Sequence, residues 1–354
     1  MNLKKYFSIV VVLVAAFVGA STLSSSAADP TTTNSTFAPL DGSFEPTVAP
    51  ADGDNVVHVG LYGTNVYELS FEDNTFYFSG YVWMRWKGDL SPTSTLEFTN
   101  AVETWGLMIT PLTEEPEQLP NGDYVQTLSV QGRFYKAFAL NDYPLDSQSL
   151  SIMLEDTTNT ADKITYKVDD AQSGLDPNMR VQGFQVNGLS SQNFLHKYGT
   201  DFGYTGTSNQ QTYSTLQFDI HIDRNANLFL WKLLLPLLLV LITNWLTLMM
   251  NPKFVEVRTA MPATALLTTV FLQLSAMESV SQASVLVLMD QIYLVAYASI
   301  VITLAQVILD NRSVKEADEA RLTAISKRDR VSLAVQSIGT AAILLLLIVP
   351  KLMS

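Results

Sequence analysis

Seven residues in the second half of the chain have types and spacing suited to a pathway for ions. The intervals between them are 4, 4, 3, 4, 3 and 4 residues, so on a helix they form one stripe. The stripe begins and ends with an acid and carries small, hydroxyl and large apolar residues between: Glu256, Ala260, Thr264, Leu267, Phe271, Leu274 and Glu278. Several copies around an axis would attract cations at the acids and close by dewetting at Leu267, Phe271 and Leu274. This pattern predicts a pore-lining helix.

The same stripe is compatible with a second interpretation, an ordinary helix packed against its neighbours. Ala260 and Thr264 are small residues of the kind that let membrane helices approach closely. That interpretation explains the small residues but gives no reason for the acids Glu256 and Glu278 at the two ends. Both interpretations remain open from the sequence of the stripe alone.

Four apolar segments must position this stripe. They cover residues 228–250, 257–278, 284–309 and 331–349, and the first, at about 34 Å as a helix, is long enough to cross a bilayer. Lys and Arg are concentrated in the first and third connections, and the positive-inside rule therefore places these two connections in the cytoplasm. We predict an all-α four-helix transmembrane domain over residues 227–354, in a multi-pass protein of the cell inner membrane.

The region before the spans has the pattern of an all-β extracellular domain. Residues 55–226 contain many short alternating runs with turn signals between them, such as Pro120-Asn121-Gly122-Asp123, which is typical of an immunoglobulin-like sandwich. Residues 1–28 have the charged start, apolar run and small-residue end of a signal peptide, the alternative being a first membrane helix. Residues 29–54 are rich in Thr, Pro and Ala and predict a disordered lead-in. With the signal peptide removed, the β domain and the C-terminus would lie on the periplasmic side.

Charge and composition exclude several classes of function. Residues 29–226 carry 26 acids and 9 bases, a net charge of 9 − 26 = −17, which favours cations near the surface and disfavours nucleic acid. The chain has no Cys, and the three His residues have no metal-ligand spacing, so we predict no metal site. Motifs for phosphate loops, nucleophile elbows and helical zinc sites are missing from the sequence, so we expect neither catalytic residues, nor a cofactor, nor an enzyme.

Several motifs in order resemble the pentameric ligand-gated ion channels, especially the bacterial members without cysteines. The likeness covers roughly residues 55–350 and lies in the order and spacing of these motifs more than in any one of them. Arg224, twelve residues before Pro236, matches that family's arginine at the end of the last strand. The other matching stretches are Tyr143-Pro144-Leu145-Asp146-Ser147-Gln148, Leu230-Trp231, Leu235-Pro236, Trp245, Met289-Asp290-Gln291 and Tyr77 to Trp86.

The resemblance implies a homopentamer in membrane lipid that conducts monovalent cations and is opened by an extracellular small-molecule agonist or by protons. Glu256 would form the cation-selecting ring at the inner mouth, and Leu267 would lie at the central hydrophobic gate. Asp146 and Arg224 match the pair that couples the outer domain to the pore, and Asp73, or its neighbour Glu72, is the candidate for the acid that usually joins them. A static salt bridge is the alternative role for this pair.

The resemblance also implies an agonist site built from aromatic residues and a carboxylate, which would hold a cation by cation–π attraction. The candidates for this site are Tyr81, Trp83, Trp105, Glu155, Phe202 and Tyr204, with Tyr198 and Tyr213 nearby in the chain. For any single aromatic residue, a place in the core of the sandwich or its rim is the favoured alternative. The aromatic residue that an amine-gated member has at one of these places is Thr157 here, and the pore-helix His of a proton-gated member is Thr269. The agonist itself therefore stays open.

A membrane-anchored receptor that binds a small ligand and conducts no ions is the competing prediction for the whole chain. In that case the sandwich would bind its ligand and the four helices would only hold it in the membrane. A membrane enzyme ranks third, because the sequence offers no catalytic constellation. The pore stripe is the feature that separates the channel from both.

Overall fold

The fold is known from a computed structural model that describes residues 42–200, 202, 211–226, 229–277, 287–314 and 319–352. The chain divides between Asn225 and Ala226 into a β-rich unit and a helical unit. The predicted signal peptide, Tyr204 and Glu278 lie outside the described residues.

Two sheets make up the β-rich unit. The first contains five antiparallel strands in the order β1-β12-β13-β9-β4, and the second has the path β10-β2-β3-β8-β5 with β11, β6 and β7 alongside. The strands are β1 Ser43–Thr47, β2 Val56–Ser70, β3 Thr75–Trp86, β4 Leu96–Phe98, β5 Ala101–Val102, β6 Met108–Pro111, β7 Glu117–Gln118, β8 Tyr124–Tyr135, β9 Ser147–Asp156, β10 Thr165–Val168, β11 Gly174–Leu175, β12 Phe184–Lys197 and β13 Thr212–Arg224. The turn predicted at residues 120–123 connects β7 to β8, with Gly122 at φ +88°.

One apolar core is shared by the two sheets, because alternate residues of each strand point to the same side. On β3, Phe76, Phe78, Val82 and Met84 are fully buried, whereas Tyr81 lies on the opposite, solvent-facing side. Strands of both sheets contribute to this core, which contains Val57, Val59, Leu61, Phe76, Phe78, Val82, Met84, Leu128, Val130, Phe134, Leu150, Ile152, Leu154, Leu216, Phe218, Ile220 and Ile222.

The predicted disordered lead-in is wrong at Ser43–Thr47. These residues form β1, which pairs antiparallel with β12 from Ser43 opposite Lys197 to Thr47 opposite Asn193. The strand is short, lies at the edge of its sheet and contains Pro46, a residue that edge strands tolerate because one side needs no hydrogen-bond donor. The ring of Phe44 stacks on Phe194 at 4.3 Å, which attaches the strand to the sheet.

Four helices make up the described part of the helical unit, and each is long and apolar enough to cross a membrane. Their regular parts are α1 Leu235–Leu246, α2 Val255–Met277, α3 Leu288–Val314 and α4 Glu319–Leu352. The first span also includes helical turns on either side of α1 and covers Trp231–Met249 in all. The four predicted spans are therefore confirmed as helices, and the chain has the character of a multi-pass membrane protein.

The first and fourth helices differ most in their bounds from the predicted spans. The first span begins with a wider π-helical stretch, Phe229–Leu234, and the regular helix starts only at Leu235. Pro236 has no N–H and cannot donate to the preceding turn, so the regular hydrogen-bond ladder starts around it. The fourth helix begins at Glu319, before the predicted residue 331, because its charged first turns contain good helix formers that apolarity does not mark.

Candidate functional site

The predicted pore stripe lies on one exposed face of α2. Glu256, Ala260 and Thr264 are exposed, and Leu267, Phe271 and Leu274 are exposed to 57%, 62% and 64%. Large apolar side chains on a helix need either lipid or a protein partner, and this face has neither within the single chain. The opposite face of α2 is buried within the bundle through Arg258, Pro262, Ala265, Thr269 and Ala276.

An open groove of about 480 Å³ runs between α1 and α2 and was not foreseen from the sequence. Glu256, Ala260 and Thr264 line one side of this groove, and Val240 and Thr243 of α1 line the other. The small residues of the stripe therefore border both the exposed face and the α1 side. They leave room for another helix to approach, as small residues do in membrane bundles.

Polar contacts fix the second half of α2 to α3. Gln273 donates from Nε2 to Asp290 Oδ1 at 3.3 Å and accepts a hydrogen bond of 2.7 Å from the hydroxyl of Tyr297. Asp290 also accepts a hydrogen bond from the backbone N–H of Val287 at the start of α3. This half of α2 is thus attached on its buried side, which leaves the stripe residues Phe271 and Leu274 free to face outward.

Asp146 and Arg224 form the ion pair that the sequence predicted. Arg224 Nε lies 2.7 Å from Asp146 Oδ1, and its terminal nitrogen lies 3.2 Å from Oδ2, a two-pronged arrangement. The carboxylate of Asp146 is almost fully buried, with 1% side-chain exposure. It accepts a further hydrogen bond from Gln148 Nε2 at 2.7 Å, so two residues of the Tyr143–Gln148 motif act together.

Aromatic rings surround the Arg224 guanidinium on its remaining sides. The centre of the guanidinium lies 4.9 Å from the ring of Phe71, 4.8 Å from Tyr143 and 4.5 Å from Phe184. Asp73, the candidate third member, is not brought to the pair. Its carboxylate accepts a hydrogen bond of 2.8 Å from Ser70 Oγ within the β2–β3 turn. The guanidinium is instead in cation–π contact with three ring faces.

Glu155 lies at the centre of the agonist candidates that the structure brings together. This buried carboxylate on β9 accepts hydrogen bonds from Tyr198 at 2.7 Å and Thr215 at 2.6 Å, and His196 Nδ1 lies 2.9 Å away. The ring of Tyr198 contacts those of Phe202 at 5.2 Å and Tyr213 at 5.6 Å. Glu155 and Phe202 therefore belong to one cluster, joined by Tyr198.

The surroundings in this cluster change the pKa of Tyr198. Burial and the hydrogen bond to the Glu155 carboxylate raise the pKa of the Tyr198 hydroxyl well above its ordinary value. Tyr198 thus stays a hydrogen-bond donor throughout the physiological pH range. The cluster offers an acidic centre with aromatic walls, the combination that recognises an organic cation.

Sequence reasoning missed His196 and Thr215 as parts of this cluster. His196 stands alone in the sequence, but the antiparallel pairing of β12 with β13, and of β13 with β9, brings it to Glu155. The register places Thr215 directly opposite Glu155. Strand pairing sets both contacts, and no sequence spacing signals them.

The remaining aromatic candidates belong to the other sheet and do not meet Glu155 within the chain. Tyr81 and Trp83 lie on the outward face of β3, where the indole N–H of Trp83 donates to Asp169 Oδ2 at 3.2 Å. Trp105 lies in a short turn, Thr104–Gly106, and is 85% exposed. These three residues and Glu155 could share a site only if different copies of the chain contributed them.

Comparison with known proteins adds no family to these observations. No protein-family model matches the chain, and no curated protein sequence matches it. The geometry of α2 and of the Glu155 cluster therefore carries the assignment of function.

Proposed function

We propose that the chain is one subunit of a ligand- or pH-gated, cation-selective ion channel. Five copies would surround a pore lined by α2, as the resemblance to the pentameric channels implies. The observation that carries the proposal is the exposed stripe of α2, which combines an acid, a hydroxyl residue and three large apolar residues in one row. A row of this kind suits a water-filled axis better than lipid, because lipid offers no partner for Glu256.

The chemistry of conduction follows from the order of residues along the stripe. A ring of Glu256 carboxylates at one end would concentrate cations and repel anions. Rings of Leu267, Phe271 and Leu274 farther along would exclude water while the pore is narrow and admit it once the helices move apart. The hydroxyl of Thr264 lies between these two zones.

The β-rich unit would then be an extracellular immunoglobulin-like sandwich that receives the stimulus. Its Glu155 cluster offers a carboxylate and aromatic rings to a small organic cation, and Tyr81, Trp83 and Trp105 would come from a neighbouring copy. Arg224 ends β13, and the helical unit begins two residues later in the chain. A change in strand β13 therefore has a short covalent path to α1.

The distribution of positive charge supports the orientation in an inner membrane. Lys253 and Arg258 stand near the start of α2, and Arg321, Lys327 and Arg330 stand in the first turns of α4. Together they favour placing the start of α2 on the cytoplasmic side and the β-rich unit outside.

The decisive experiment is single-channel recording of the purified protein in planar bilayers. We expect discrete openings in response to amines or to a change of pH, with a reversal potential that follows the cation gradient. Silence under amines, acid and alkali by protein that is folded and oligomeric would contradict the proposal. That result would favour the non-conducting receptor, in which the Glu155 cluster binds a ligand and the helices only anchor it.

A further inference from the structure

A buried ion pair joins the start of α2 to α4. Arg258 is 1% exposed, and its terminal nitrogen donates to Asp329 Oδ2 at 2.6 Å. Asp329 is fully buried, and its other carboxylate oxygen accepts a hydrogen bond of 2.8 Å from Gln306 Nε2 of α3. Three helices are thus linked through one carboxylate.

Asp310 of α3 is the second acid of this polar network. It pairs with Arg328 of α4, and its other oxygen, like the Nε of Arg258, has no hydrogen-bond partner in the part of the chain that the structure describes. Removing the carboxylate of Asp329 would deprive a buried guanidinium of its hydrogen-bonded counter-ion, which is more costly than losing an exposed pair. The orientation of the Arg258 side chain toward Asp329 is therefore strongly favoured.

The position of Arg258 on α2 determines where Glu256 points. Two residues along an α-helix correspond to a rotation of about 200°, since each residue turns the helix by about 100°. Arg258 faces into the bundle and Glu256 is exposed on the other side. Gln273 holds the second half of α2 through its hydrogen bonds to Asp290 and Tyr297, and the Arg258–Asp329 pair is the directional charged contact in the half that carries Glu256.

We propose that Asp329 is a positioning residue that, through Arg258, holds Glu256 in the exposed row of α2 and so sets the cation selectivity of the pore. This inference rests on the proposed channel function, since selectivity has meaning only for a pore. Although α4 carries no residue of the stripe, it would then set the direction in which the Glu256 side chain points.

The natural absence of Cys makes the rotation of α2 measurable without any current. Single cysteines at Glu256, Val257, Thr259 and Ala260 would be introduced into the full chain, with Asp329 intact and with Asp329→Asn. The rate of their reaction with a water-soluble thiol reagent would be measured on oligomeric protein in lipid vesicles. With Asp329 intact we expect fast reaction at positions 256, 257 and 260, which are exposed, and slower reaction at 259, which is half-buried.

With Asp329→Asn we expect a several-fold fall in the rate at position 256 and a rise at 259, and the otherwise native channel should become less cation-selective. Lys327→Gln, an exposed change two residues away, should leave rates and reversal potential unchanged. A merely stabilising pair would alter the amount of folded protein but not the order of the four rates. An unchanged order in Asp329→Asn would overturn the proposal.

Two further variants keep the test valid if Asp329→Asn does not assemble. Arg258→Lys keeps a charge for Asp329 but lacks the planar guanidinium, and we expect it to shift the rates in the same direction. The exchange Arg258→Asp with Asp329→Arg should return the reaction rates toward their native order. If it does not do so in assembled protein, the result counts against the positioning role of this ion pair. If the thiol reaction rates depend on Asp329 but the protein carries no current, the proposed channel function is refuted and the positioning role of the Arg258–Asp329 pair stands. If selectivity is normal and the rates are unchanged in Asp329→Asn, only the positioning role is refuted.

Discussion

Two buried carboxylates in the β-rich unit are stabilised in different ways. Asp146 has a permanent cation, Arg224, whose guanidinium is in turn surrounded by three aromatic rings. Glu155 instead accepts hydrogen bonds from the hydroxyl groups of Tyr198 and Thr215, and His196 lies beside it. Asp146 therefore has a permanent counter-charge, whereas Glu155 is bonded by neutral hydroxyl donors.

Loss of the Arg224 side chain should destabilise the protein strongly. Arg224→Ala leaves the buried Asp146 without its cation, and the cost of breaking one partner of such a pair is about 3–5 kcal/mol. We expect a lower unfolding temperature of the oligomer and impaired gating in whatever fraction assembles. Arg180→Ala is the matched control, because exposed Arg180 bonds only backbone carbonyls and should leave both properties native. Normal currents in Arg224→Ala would mean that the pair takes no part in coupling.

Neutralising Glu155 should remove the response to agonist more than it affects the fold. In Glu155→Gln the amide cannot accept all the hydrogen bonds of the carboxylate, a cost of about 1–3 kcal/mol. We expect the concentration of an activating amine for half-maximal current to rise, with smaller effects on thermal unfolding. Glu97→Gln changes the exposed acid directly opposite in register and serves as control. Equal responses from both variants would place the agonist elsewhere.

At the scale of elements, α2 has one face buried in the helical bundle and an opposite face with no partner in the described part of the chain. Its buried face is held by Asp329 at one end and by Asp290 and Tyr297 at the other. Its exposed face has large apolar side chains that only lipid or further copies could cover. The polar contacts of α3 and α4 therefore help to set the direction in which the stripe faces, although neither helix contributes a residue to it.

Shortening the central apolar residue of α2 should make the pore leak. Leu267→Ala widens the proposed constriction and lowers the barrier to wetting, so we expect a larger basal current without stimulus. The fold should tolerate the change, because 57% of Leu267 is exposed in the single chain. The control is Val270→Ala. Val270 is also exposed, but it precedes the stripe residue Phe271 and does not belong to the stripe. An unchanged basal current in Leu267→Ala would remove Leu267 from the gate.

At the scale of the whole molecule, charge is divided between the two units. Residues 29–226 have a net charge of 9 − 26 = −17, whereas the remainder of the chain has 12 bases and 8 acids. If the β-rich unit lies outside the membrane as proposed, its acidity would raise the local concentration of cations near the proposed pore. This effect weakens with added salt, since the screening length is about 10 Å at 0.1 M ionic strength.

Removing the charge of Glu256 should weaken cation selection by the assembled channel. In Glu256→Gln we expect a smaller single-channel conductance and a reversal potential displaced toward zero in a salt gradient. Glu319→Gln, an exposed acid in the first turn of α4, should change neither quantity. A native reversal potential and conductance in Glu256→Gln would rule out the acid ring.

The elements of this protein that depend on local pattern could be predicted from sequence. Four apolar segments gave four helices, and the turn at residues 120–123 gave a hairpin, since hydropathy and turn chemistry act over a few residues. The strand β1 could not be found this way, because Ser43–Thr47 has neither alternation nor strong β propensity. It forms because β12 offers an edge and Phe194 offers a ring to stack on.

The sequence by itself determined the membrane character of the chain and the α2 stripe, because these follow from composition and helical period, and the resemblance to the pentameric channels implied the Asp146–Arg224 pair. Only the tertiary structure decided that Phe71, Tyr143 and Phe184 surround Arg224, and that His196 and Thr215 join Glu155. It also decided that Arg258 meets Asp329. These contacts join residues far apart in the chain, and strand register and helix packing fix them through the shape of the whole unit.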